Sequence, residues 1–124
     1  MRAALRSVMG SRSASRADDN PGPTAFRTEA ILSIQRWMVG LVTPELRAVS
    51  FSAVHPSLEA RFFLETADEE NVDIIDEIET LVMADFLDGV QVSIRSVELA
   101  ASEPLLLPQG HEWLFARRES NDRI

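Results

Sequence analysis

The stretch Leu46-Arg47-Ala48-Val49-Ser50-Phe51-Ser52-Ala53-Val54, then His55-Pro56-Ser57, then Leu58-Glu59-Ala60-Arg61-Phe62-Phe63-Leu64-Glu65-Thr66, reads as two strands joined by a tight turn. Apolar and polar residues alternate on both sides of the break, the period of a strand with one buried face. A two-residue loop at Pro56-Ser57 sets Phe51 opposite Phe62, Val49 opposite Leu64 and Ala53 opposite Ala60, with all six on one face. The opposite face then carries Ser50, Ser52, Arg61 and Phe63. Such a hairpin needs a second layer over its apolar face, and the flanking segments supply one.

Upstream, Phe26, Ala30, Ile34, Trp37, Met38 and Leu41 recur at three- and four-residue spacing, which predicts a helix with one apolar stripe. Thr24 is the expected N-cap, Gly40 can take the left-handed position beyond the last turn, and Thr43-Pro44 ends the helix. Downstream, Thr66-Ala67-Asp68-Glu69 fits a capping box. Ile74, Ile75, Ile78, Leu81, Val82 and Phe86 then fill one half of a helical wheel, and Asp73, Asp76 and Glu77 lie on the other. Asp85 falls on the apolar half, where either a fraying end or an Arg partner accounts for it. Gly89 opens a third strand with Val90, Val92 and Ile94 on one face. The parity then flips to Val97 and Leu99, which predicts a bulge near Arg95-Ser96. Pro104 to Gly110 reads as a loop, and His111 to Arg117 as a last strand with Trp113 and Phe115 on one face.

The order α-β-β-α-β-β predicts an α+β fold: a four-stranded antiparallel or mixed sheet with two helices packed on one face. A chain of 124 residues supports one domain, expected over residues 24–118. Residues 1–23, rich in Arg and Ser and ending in Pro21-Gly22-Pro23, read as a disordered N-terminal tail or a misassigned start, and 119–124 as a flexible C-terminal tail. The first segment has the Arg- and Ser-rich, acid-free character of a transit peptide as far as Ala17, but a plain tail is the simpler reading. No secretory signal is present, so a cytoplasmic protein is expected. No apolar run approaches the ~20 residues of a membrane helix.

Charge narrows the function. The net formal charge is −8, all 12 basic residues are Arg, and there is no Cys. Thiolate chemistry and lysine Schiff bases are excluded, and an acidic chain is a poor direct binder of nucleic acid. The acidity is local. Glu65, Asp68, Glu69, Glu70, Asp73, Asp76, Glu77, Glu79, Asp85 and Asp88 fall in one stretch with no Arg, and the rest of the chain is nearly neutral. Like charges three or four apart on a helix each cost a few tenths of a kcal/mol, so Asp73, Asp76 and Glu77 invite a docking role. The plainer reading is a solvated face. Asp73-x-x-Asp76-Glu77 lacks the Gly-bearing loop of a calcium site and the Glu-x-x-His pairs of a di-metal bundle, so no metal or other cofactor is expected. His55 reads as a turn residue and His111 as a strand-edge residue. No nucleophile elbow, zinc-protease motif or phosphate loop accompanies either, so the chain is expected not to be an enzyme. Arg117-Arg118 reads as a solvated strand end.

Several segments together resemble a known group. They are Val42-Thr43-Pro44-Glu45-Leu46-Arg47-Ala48-Val49-Ser50, Arg61-Phe62-Phe63-Leu64, Glu77-Ile78-Glu79 through Ala84-Asp85-Phe86, and Glu112-Trp113-Leu114-Phe115-Ala116-Arg117-Arg118. Over about residues 30–118 the chain resembles small acidic bacterial immunity proteins of polymorphic toxin and contact-dependent growth inhibition systems. The resemblance implies a non-enzymatic binding protein whose partner is a cognate toxin, for example a nuclease with a basic cleft. Glu69, Glu70, Asp73, Asp76 and Glu77 would supply the electrostatic part of that interface, and Arg61 with Phe63 an anchor. The alternative is a small self-associating structural or regulatory module, marked by a stable homodimer.

Overall fold

A computed structural model describes residues 22–119, so of the tails expected over 1–23 and 119–124, residues 1–21 and 120–124 lie outside the described residues. The elements follow in the order α1 (Pro23–Met38), β1 (Leu46–Val54), β2 (Ser57–Leu64), α2 (Glu69–Ala84), β3 (Gln91–Glu98) and β4 (Glu112–Ala116). The strands form one mixed sheet in the spatial order β3-β2-β1-β4. β1 pairs antiparallel with both β2 and β4, while β3 returns parallel to β2 through α2. A parallel return requires a crossover, and α2 provides it.

One core holds the layers together. Phe26, Ala30 and Ile34 of α1 meet Ile75, Ile78 and Val82 of α2 over Val49, Phe51, Leu58, Ala60, Phe62 and Ile94 of the sheet. Both helices thus pack on the same face. Of the apolar half of α2, Ile75, Ile78 and Val82 are buried and Ile74, Leu81 and Phe86 half-buried. Asp85 has the Arg partner that one reading of its position required. A single carboxylate oxygen accepts from Ser33 Oγ at 2.6 Å, Trp37 Nε1 at 2.8 Å and Arg36 at 3.0 Å, which ties the two helices together.

Several local expectations are corrected. α1 starts at Pro23, with Gly22 as N-cap, because proline has no N–H to lose and its fixed φ suits the first helical position; Thr24 lies inside the helix. Gly40 does take the left-handed conformation past the end of α1, at φ 83°. The N-cap of α2 is Asp68, whose side chain accepts from the Asn71 amide at 2.8 Å, and Thr66 instead accepts from Asn71 Nδ2 through its carbonyl. The hairpin loop is His55-Pro56, with a cis peptide between them, so Val54 pairs with Ser57. Phe51 therefore faces Ala60, Val49 faces Phe62 and Ala53 faces Leu58. This differs by two residues from the expected register, and a shift of two leaves every side chain on its assigned face.

The bulge expected at Arg95-Ser96 is absent, since β3 pairs with β2 without interruption from Ser57↔Gln91 to Leu64↔Glu98. The parity flip marks a second apolar face instead, because Val97 sits beside Phe63. The irregularities lie in β1 between Leu46 and Ala48, and between β1 and β4 at Val49/Ser50. The second places Trp113 against Ser50 and Phe115 against Val49. Trp113 and Phe115 thus point to opposite faces and not to one.

Candidate functional site

Apart from Asp88, which is exposed beyond α2 and has no described partner, the acid-rich segment separates into two groups. Glu65 pairs with Arg117, Asp68 caps α2, and Asp85 bridges the helices. Glu79 accepts from the backbone N–H of Ile94 at 2.9 Å. That amide belongs to the outer edge of β3, so the carboxylate satisfies a group that an unprotected edge strand would offer to another chain. Glu69, Glu70, Asp73, Asp76 and Glu77 are all exposed, and none forms an ion pair or side-chain hydrogen bond within the described residues. Their spacing puts them on one outward stripe of α2, where Glu69, Glu70, Asp73 and Glu77 surround the half-buried Ile74 in a shallow concavity.

The far side of the sheet is less open than alternation suggests. β3 and β4 are the two edge strands, and the helices occupy the other face. The segment 99–111 must therefore cross the far face to connect them, and two latches hold it there. Arg47, turned out by the bulge between Leu46 and Ala48, is 2% exposed. It donates to the carbonyls of Ala100 and Glu103 at 2.8 Å each and, more weakly, of Leu99 at 3.4 Å, and it makes a two-pronged pair with Glu119 at 2.8 and 2.9 Å. The hydrogen bonds from Arg47 hold the Glu119 carboxyl below the ordinary carboxylate range. Glu119, placed in the C-terminal tail by sequence, is thus part of this latch. The second latch is His111, which stands at the head of the edge strand β4 as expected but is buried. Its Nδ1 lies 2.8 Å from Ser50 Oγ and its Nε2 lies 3.1 Å from a Glu59 carboxylate oxygen. Glu59 can only accept from Nε2–H, and the Ser50 hydroxyl can either donate or accept, so both ring nitrogens are satisfied. Ser50 is fully buried, so this Ser-His-Glu row offers no accessible nucleophile.

The expected anchor residues separate as well. Arg61 is half-buried on the far face and makes no ion pair within the described residues. Phe63 is not exposed: it is buried, and the Trp113 ring packs edge-on against it at 6.1 Å. Trp113 is the aromatic that remains accessible there, 39% exposed. At the start of β4, Arg27 of α1 grips Glu112 and holds its carboxyl below the usual range. No group of three or more His, Asp or Glu among the described residues could hold a metal ion. No described helix is long and apolar enough to cross a membrane.

Comparison with known families decides the general role. Residues 27–119, which include α1 from Arg27 onward, α2, all four strands and both latches, match the description MafI2 immunity protein. The chain belongs to the MafI2 immunity protein family. Membership is consistent with a bacterial immunity protein of a polymorphic toxin system and implies binding to a cognate toxin. A comparison with curated proteins gave no match. For a MafI2 immunity protein, binding to a cognate toxin is the implied role.

Proposed function

We propose that this MafI2 immunity protein neutralises its toxin by docking the outward face of α2, through Glu69, Glu70, Asp73, Asp76 and Glu77, onto a basic surface of the toxin. The observation that carries this reading is the division of the acids: Glu65, Asp68, Glu79 and Asp85 serve the fold, whereas the carboxylates of these five, like that of Asp88 beyond α2, make no described contact. Leaving them adjacent costs helix stability by a few tenths of a kcal/mol per like-charged pair, and an oppositely charged partner offsets that cost. The toxin so bound is a nuclease, whose cleft must be basic to hold a polyanion. The acidic stripe covers that cleft as phosphates would, without chemistry or cofactor, in the cytoplasm of a bacterium that uses a contact-dependent system. The binding unit is the domain expected over residues 24–118, extended to Pro23 of α1 and to Glu119 of the Arg47 latch.

Co-expression with the toxin domain encoded beside it tests this. A stable complex that protects cells is expected, and reversal of Asp73, Asp76 and Glu77 to Arg should abolish protection. Protection that survives the reversal would exclude α2 as the docking face.

A further inference from the structure

One rung of the sheet runs across all four strands on the far face. Trp113 of β4 lies in register with Ser50 of β1, Ser50 with Arg61 of β2, and Arg61 with Arg95 of β3. Neighbouring strands stand about 4.8 Å apart, so Arg61 and Arg95 rise side by side from adjacent backbones. Like charges directly opposite each other on a sheet destabilise it. The described structure supplies little to offset them. The one carboxylate near Arg95 is Glu59, at 4.0 Å, and its other oxygen is engaged by His111 at 3.1 Å. Ser50 and His111, both buried, stand between Trp113 and the two arginines, so the accessible parts of the rung are its two ends.

We propose that this rung is a second contact surface for the toxin, and that it takes a carboxylate from an acidic loop of that partner between Arg61 and Arg95, with an apolar side chain of the same loop on Trp113. The charge argument selects the occupant. Two adjacent guanidiniums with one shared, partly engaged acid match a carboxylate. A nucleic acid would have to approach a chain of net charge −8. Tryptophan and arginine are also the side chains most enriched where binding energy concentrates. The rung lies across the β3 edge from α2, so a partner on α2 reaches it only by wrapping around that edge. The inference rests on the toxin-binding role but not on α2 as the docking face.

The test uses the full chain and the toxin domain encoded beside it, with binding kinetics and thermal unfolding measured on the same samples. R61E/R95E should weaken binding roughly 100-fold, chiefly through faster dissociation, and W113A roughly tenfold. R61K/R95K should fall between wild type and R61E/R95E, because the charge stays while the fork geometry is lost. The unfolding midpoint of R61K/R95K should stay close to wild type, since Arg95 is exposed and Arg61 half-buried without a described ion pair, whereas W113A should lower it by the packing lost on Phe63, and its binding is read at a temperature where it is fully folded. Unchanged affinity in both R61E/R95E and W113A overturns the proposal. If reversal of α2 leaves binding intact while R61E/R95E abolishes it, the α2 reading fails and this one stands; the converse assigns the toxin to α2 alone and overturns this one. Loss of a homodimer of the free chain in R61E/R95E, with toxin affinity unchanged, also overturns it.

Discussion

The charges beneath the crossing segment and those on the outer face of α2 are opposite cases. Arg47 is almost wholly buried, and each of its nitrogens is committed to a carbonyl or to Glu119. The five outward acids of α2 lie in water without a described partner. A buried charge is retained only if it is fully bonded, and its removal leaves its partners stranded. An exposed charge contributes little to folding and is free to serve association. Stability should therefore depend on the first group and be nearly indifferent to the second, and binding should reverse that order.

The largest effect should come from Arg47→Met, a loss of about 3–5 kcal/mol in denaturant unfolding, because Glu119 and the crossing carbonyls lose their donor together. A loss below about 1 kcal/mol would show that the crossing segment is held by something else. Asp85→Ala should cost about 2 kcal/mol, since the donors on Ser33, Trp37 and Arg36 lose a common acceptor. Acid titration should give a smaller effect. Glu119 has its folded value lowered by Arg47, so its stabilisation is fully present above the unfolded carboxyl value of about 4.3 and is lost as pH falls through the lower folded value. Glu119→Gln should be less stable than wild type at neutral pH and should lack this part of the acid-induced loss. Parallel stability curves for the two proteins below pH 4.3 would contradict the assignment. The smallest effect should be Asp73→Gln, which relieves repulsion with Glu69, Asp76 and Glu77 and should raise stability by about 0.5 kcal/mol. A clear loss would reveal a structural partner for Asp73.

The two regions also differ in how far they can be read from the sequence. The limits of β1, the apolar stripe of α2 and its acidic outer half follow from period alone, because each repeats a local geometry over many residues. The faces of the hairpin residues beyond the Arg47 bulge were legible although the register was not, since Pro56 sits within the loop and not at its first position. The latches were not legible. Simple alternation puts Arg47 with Val49 and Phe51 on the apolar face, and the extra residue that turns it out leaves no local mark. The switch to Val97 and Leu99 was the visible sign that the far face has an apolar part of its own. It reads equally well as a bulge until the path of 99–111 is known. Alternation alone makes Phe63 an exposed anchor, whereas Trp113, from a strand far away in the chain, packs on it and is itself the accessible aromatic.

The central claim is that the outward stripe of α2 is built for association and not for folding. Association kinetics between the toxin domain and the Asp73→Arg/Asp76→Arg/Glu77→Arg variant, measured across a range of salt, test it most directly. The claim predicts association slower by about tenfold or more at low salt and a much flatter salt dependence, with folding stability within about 1 kcal/mol of wild type. An association rate and salt dependence equal to those of the wild type would contradict it.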